Sequence, residues 1–313
     1  MINRACLILL CFAFVDDSYA TSKLSVNMKL GHWGGHTMYQ IGGPAQFGGE
    51  SVRLPMPISE LKFPLFVKTA GIRAKLRLNR RWRMHVNWET NLSDFGGYMI
   101  DQDWGVDYLS GDELASPDRL DIKSESASYV NAHFLDVTFD RRLRRINKWL
   151  VLGGVGLKRT SYHFTIRRIH QWYPSDPALE HDYIEGVGLK YNIISYAPYG
   201  ELSFIPLSQQ RYRVALALRY SPYVMIDDRD DHVLRDKVSR GKLVGDMRSL
   251  LLKAHYALVQ HLYLFFDAEA NWVYADGVQH QQGSLDDAQW EAELEQKHES
   301  FVYQMSAGIK LTF

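Results

Sequence analysis

Polar and apolar residues alternate with a period of two over long stretches of this chain, and no stretch carries a sustained helical period. In KLSVNMKL, Leu24, Val26, Met28 and Leu30 share one face. In WRMHVNWE, Trp82, Met84, Val86 and Trp88 share one face and Arg83, His85, Asn87 and Glu89 the other. RVALALRY sets Val214, Leu216, Leu218 and Tyr220 against Arg219. LYLFFDAEANW opposes Leu264, Phe266 and Trp272 to Asp267, Glu269 and Asn271. The final segment, FVYQMSAGIKLTF, alternates from Phe301 to Phe313. Successive strand side chains point to opposite faces, so each segment predicts a β-strand with one apolar and one polar side.

Alternation alone also suits a soluble sandwich with one wet face. Two features favour a membrane barrel. Arg, Glu, Asp and Asn recur deep within the strands, as a polar lumen requires. The connections also alternate in length. Short ones fall near 79–81, 141–148, 208–210 and 259–261, and long ones near 41–60, 93–127, 168–183, 224–246 and 275–299. Four short turns and five long loops make nine connections, hence ten strands with both ends on the short-turn side. In lipid no backbone amide stays unpaired, so such a sheet closes on itself. The expected fold is all-β, a ten-stranded antiparallel transmembrane barrel rising above the membrane. Within the last long loop, LDDAQWEAELEQKHES (285–300) reads as an acidic excursion, either helical or simply solvated.

Composition adds less. Lys and Arg total 36 and so do Asp and Glu, which gives no electrostatic reason to expect a nucleic-acid partner. No run of 18 apolar residues follows residue 20, so transmembrane helices are not expected. Arg4 precedes the apolar run Ala5–Val15, and Ser18 and Ala20 occupy the small positions of a cleavage site. Residues 1–20 are therefore expected to be a signal peptide and 21–313 the mature barrel. Both cysteines, Cys6 and Cys11, lie in that leader, so neither disulfides nor thiolate metal sites are expected in the mature chain.

Candidate chemistry sits in two acidic clusters. GGYMIDQDWG (96–105) places Asp101 and Asp103 at i and i+2, on one side of a strand, with Gln102 turned away. MIDDRDDHVLRD places Asp228, Asp230 and His232 on one face and Asp227 and Asp231 on the other. The third and seventh of ten strands stand roughly opposite each other, so the clusters should meet across the outer mouth. An Asp against a His fixes the imidazole tautomer and raises its basicity. Two adjoining carboxylates resist double ionisation, and one holds a proton. A water between them could be deprotonated to attack an amide carbonyl. Acidic barrel mouths are also found merely solvated or holding Ca²⁺, although DRDD lacks the glycine and spacing of an EF-hand loop.

MIDQDW (99–104) after a glycine pair, and DRDDH (228–232), resemble the two catalytic motifs of the omptin family of outer-membrane proteases. YHFTIRR (162–168) and the terminal GIKLTF add to the likeness, which runs in order over most of 80–313. The resemblance implies an endopeptidase at the extracellular mouth, cleaving peptides and proteins at basic residues. It implies Asp230 and His232 as the dyad and Asp101 and Asp103 as the facing carboxylates. Asp228 and Asp112 are implied as substrate-binding acids on either side of the scissile bond, where a carboxylate selects Arg or Lys by charge-assisted hydrogen bonds. Neither metal nor cofactor is implied. The implied setting is the cell outer membrane, as a monomer, with lipopolysaccharide as an activator bound by arginines on the outer wall. There are departures. Glu50 is the one glutamate within QIGGPAQFGGES (40–51) of the first long loop, Leu114 stands in place of a serine, and LKRTSY offers Lys158 and Arg159 but Ser161 where an arginine is expected. The rival function is a non-catalytic surface binder or adhesin for basic host proteins, which would not need all four catalytic side chains.

Overall fold

The computed structural model describes residues 23–47, 49–105, 118–206, 211–285 and 288–313, and every regular element within them is a strand. In chain order these are β1 (Leu24–Phe47), β2 (Glu50–Arg53), β3 (Ser59–Pro64), β4 (Val67–Arg77), β5 (Trp82–Asn91), β6 (Phe95–Trp104) and β7 (Leu120–Ile146). They continue as β8 (Trp149–Trp172), β9 (Asp182–Pro206), β10 (Tyr212–His232), β11 (Lys237–Val259), β12 (Leu262–Leu285) and β13 (Ala288–Thr312). All pairings are antiparallel, and β13 pairs back onto β1 from Ser25↔Thr312 upward, closing the ring.

Thirteen elements make ten staves. β4 and β3 pair in tandem with the lower and upper halves of β1. β5 and β6 do the same along β7. Each couple therefore counts once around the ring, and β2 is a side arm on β1. The expected ten strands are present.

The burial is inside out. On β1, Met28 and Leu30 are 54% and 66% exposed while Ser25, Asn27 and Lys29 are buried. Leu264, Phe266 and Trp272 of β12 face outward, with Asp267 and Asn271 inward. This is the apolar-out, polar-in alternation of a barrel in lipid. The short turns follow local chemistry. The Asn79 side chain accepts from the amides of Arg81 and Trp82, at 2.8 and 3.0 Å, to reverse β4 into β5. Asn147, at φ 49°, makes the tight turn from β7 to β8, a backbone region asparagine tolerates.

Three layers fill the lumen. Nearest the short turns lies a charged layer, in which Arg219 meets Glu201 at 2.7 Å and Asp136 at 2.9 Å, and Lys158 meets Glu269 at 2.9 Å. Above it lies a ring-rich layer of Trp33, Phe63, Phe134, Tyr162, Phe164 and Tyr191. The acidic mouth lies above that.

Several expectations about the loops are corrected. A tilted strand crosses a bilayer in about 9–11 residues, yet β12 has 24 and β13 has 25. The segments read as long loops at 224–246 and 275–299 are largely the upper parts of β10–β13. The described loop between β8 and β9 spans only 173–181, and 41–60 contains the end of β1, β2 and the start of β3. The turn placed at 141–148 shrinks to Asn147 and Lys148. The acidic segment 285–300 is, over residues 288–300, neither helix nor open loop. Through β13 it alternates, with Ala292, Leu294, Gln296, His298 and Ser300 buried and Glu293, Glu295, Lys297 and Glu299 more exposed. Above the membrane the outward face meets water, so its residues are charged and the apolar-outward signal disappears.

Candidate active site

Two irregularities aim the acidic clusters inward. On lower β10 the odd positions Ala217, Arg219 and Ser221 are buried, which would turn the even-numbered Asp228, Asp230 and His232 outward. A bulge corrects this. Ser221 pairs with Met247 but Val224 with Gly245, so β10 spends one extra residue at Pro222–Tyr223. An extra residue reverses the inward face, and proline suits a bulge because it has no amide to pair. Above it Val224, Ile226, Asp228 and Asp230 are all buried. The second irregularity lies below Asp101, where the register shifts between Phe95 and Gly97. Gly97 has φ +122°, and a Cβ there would lie 3.0 Å from Pro64 Cγ. The glycine pair before MIDQDW thus serves the backbone.

Asp101, Asp103 and His232 line one cleft of about 250 Å³ at the outer mouth, with Tyr39, Arg235 and Lys237. Asp230 forms its inner support. His232 Nε2 lies 3.0 Å from Asp230 Oδ2. With Nε2–H donating to the carboxylate, Nδ1 keeps the lone pair a base needs. The Tyr39 hydroxyl donates to the same Oδ2. Burial raises the Asp230 pKa, but the His232 charge, the bonds from His232 and Tyr39, and Lys237 outweigh it and hold the pKa below the usual carboxylate range. Asp101 goes the other way. Burial and then the Asp103 charge push its pKa well up, and its Oδ1 is buried without a hydrogen-bond partner. The cleft thus favours the ionised form of Asp230 and the protonated form of Asp101, a separation that suits one residue to orient a base and another to donate a proton.

Asp228 is placed differently from the expectation. It is 6% exposed and does not line the cleft. Its carboxylate accepts from Tyr191 Oη at 2.9 Å, Gln296 Nε2 at 2.6 Å and the Gly241 amide at 2.8 Å. Burial outweighs those bonds and raises its pKa to about 6. Asp112 and Leu114 lie outside the described residues, as does the expected signal peptide. Glu50 sits on the exposed arm β2, away from the cleft. Lys158 points into the lumen toward Glu269 and Asn271, so it cannot serve the outer wall. Arg159 stays half-buried beside the Tyr196 ring, and Ser161 is buried near His163. Among the described residues no group of three or more His, Cys, Asp or Glu side chains could hold a metal ion.

Sequence reasoning missed Tyr39, Gln296, Arg235 and Lys237. Tyr39 was within reach, since odd positions of β1 face inward from Ser25 onward. Tyr39→Phe is expected to lower kcat/KM roughly tenfold or more, the worth of a hydrogen bond to a charged group. Removing that donor lets the Asp230 pKa rise, so the acid limb of the pH–rate profile should move to higher pH. An acid limb that stays in place would show that Tyr39 does not tune Asp230.

The omptin family model matches residues 58–313 of this chain. The outer membrane protease OmpP of Escherichia coli (strain K12) is 23% identical over 274 residues, which cover 85% of this chain and 79% of that protein. The crystal structure of the outer membrane protease OmpT from Escherichia coli superposes with a TM-score of 0.75 at 18% identity, over 95% of this chain and 99% of that one.

Proposed function

The chain belongs to the omptin family, and we propose that it is an outer-membrane endopeptidase that cleaves peptides and proteins at basic residues. The observation that carries the reading is the His232–Asp230 pair at 3.0 Å beside a cleft that Asp101 and Asp103 also line. His232 Nδ1 takes a proton from a water held between the dyad and the carboxylate couple. That water attacks the scissile carbonyl, and protonated Asp101 donates to the developing oxyanion. Asp230 keeps the imidazole oriented and stabilises the imidazolium. His232 then returns its proton to the leaving amine, while Asp103 keeps the proton on Asp101. The active site faces the medium, and the substrate enters from outside.

Selection of a basic side chain is assigned to Asp228, and on the far side of the scissile bond to Asp112, which lies outside the described residues. Tyr191 and Gln296 both donate to Oδ2 of Asp228 and the Gly241 amide to Oδ1, so a guanidinium or ammonium reaching this carboxylate has one acceptor position left, on Oδ1. Lipopolysaccharide acts as the activator, with Arg159 as the outer-wall cation. The alternative of a non-catalytic binder for basic proteins is disfavoured by the buried, oriented dyad, which binding alone would not require.

The test is a dibasic peptide library presented to the purified refolded protein, with and without lipopolysaccharide. Cleavage should concentrate at Arg or Lys. Asp228 ionises only above about pH 6, so preference for a basic over a neutral residue should sharpen as pH rises through that value. In Asp228→Asn it should be weak and independent of pH. A cleavage profile unchanged by that substitution would remove Asp228 from the specificity scheme, and no cleavage of any peptide would favour the binder.

A further inference from the structure

The end of the barrel opposite the acidic cleft holds a larger cavity, of about 610 Å³, that proteolysis does not use. Lys23, Arg77, Arg142, Arg145 and Arg213 stand round its mouth, at the level of the short turns. Deeper in are Arg73, Lys75, Arg83, Lys253 and Lys310. Against these ten cations the lining offers two acids, Asp140 and Glu201.

The ion pairs among the described residues leave Lys75, Lys253 and Lys310 out. Asp140 is taken by Arg83 at 2.6 Å, and Glu201 by Arg219, which lies outside this cavity, at 2.7 Å. Arg73 is matched by Asp267. Lys75 and Lys253 make no ion pair among the described residues, and Lys310 has only the face of Tyr263, at 5.2 Å. His255 adds a buried Nδ1 with no hydrogen-bond partner. These lysines come from β4, β11 and β13, which lie on one side of the ring with β1 and β12 between them. A cation-lined recess walled by low-dielectric protein focuses a positive potential and concentrates anions. Its volume falls in the range of small-molecule sites, about 300–1,000 Å³.

We propose that this chamber is a binding site for a multivalent, phosphate-bearing anion, held by Lys75, Lys253 and Lys310 and admitted past the turn arginines. Phosphate groups fit because they carry dense charge and several acceptor oxygens, which suit converging ammonium and guanidinium donors. The phosphate could belong to a free polyphosphorylated solute or to the headgroup of an anionic phospholipid at the turn-side leaflet.

The experiment titrates inorganic tripolyphosphate into the folded full-length barrel in lipid-free nonionic detergent, read by calorimetry at low salt. Saturable binding near one per barrel is expected, weakening steeply with added salt. Lys75→Gln/Lys253→Gln/Lys310→Gln should weaken it at least tenfold and leave peptide cleavage at the far mouth unchanged, which also reports that the barrel is folded. Should the triple variant not fold, Lys253→Gln alone should give a smaller loss in the same direction. Repeating the titration in phosphatidylglycerol and phosphatidylcholine vesicles separates the sources. Loss of binding only in phosphatidylglycerol assigns the chamber to a lipid headgroup, and binding in both assigns it to a free solute. No saturable binding, or binding that ignores the lumen lysines yet is lost in Arg141→Gln/Arg144→Gln on the outer turn, overturns the proposal.

Discussion

His232→Ala is expected to lower kcat for a dibasic peptide by between about 10² and 10⁴-fold, the usual worth of a general base. The barrel should still fold, because His232 sits at the tip of β10 and contributes only the bond to Asp230. Folding is checked independently by retention of heat-modifiable migration in electrophoresis. The substitution also withdraws the strongest influence holding Asp230 ionised, so part of the loss comes through that buried carboxylate. Kinetics distinguish chemistry from binding. A base used in the transition state lowers kcat and kcat/KM together, with KM little changed. If turnover in the folded variant matched wild type, the water mechanism would be wrong.

Asp101→Ala is expected to cost about 10²–10³-fold, as loss of one oxyanion donor does, and Asp101→Asn considerably less. The difference follows from protonation. Burial and Asp103 raise the Asp101 pKa well above the ordinary value, which favours its protonated, donating form. As pH climbs through that raised pKa the donor becomes an anion facing another anion, and activity should fall on the alkaline side. Asparagine keeps a donor and cannot ionise, so its alkaline limb from this group should be absent. An Asn variant as inactive as Ala, with the alkaline limb intact, would mean that Asp101 acts as an anion. Chelators should leave wild type unaffected. Inhibition reversed by added metal would favour a cation site between the same carboxylates.

The membrane half of this molecule was legible because lipid imposes one rule on every strand. Leu264, Phe266 and Trp272 had to face outward and Asp267 and Asn271 inward. Above the membrane both faces differ: water wets the outside and rings fill much of the inside. The regular apolar stripe then moves to the inner face, as with Ala292 and Leu294, and the outward glutamates resemble a loop. The period-two signal in WEAELEQKHES was present, but on the opposite face from the one sought. The four central side chains were legible from i, i+2 spacing. Their inward aim was not, since the frame set by Val214–Tyr220 points Asp230 the wrong way until the bulge at Pro222–Tyr223 is counted. The burial of Asp228 was equally hidden, because Tyr191, Gly241 and Gln296 come from three other strands. Long-range partners of this kind leave no trace in local pattern.

The ring-rich layer between the two ends of the bore has an electrical consequence. An ion entering it meets the buried rings of Trp33, Phe134 and Tyr162 in place of bulk water, and removing a charge from water is costly. A lumen packed in this way opposes the passage of ions from one end of the barrel to the other. The acidic cleft and the cation-lined chamber thus share a single wall of strands and lie on opposite sides of one packed layer.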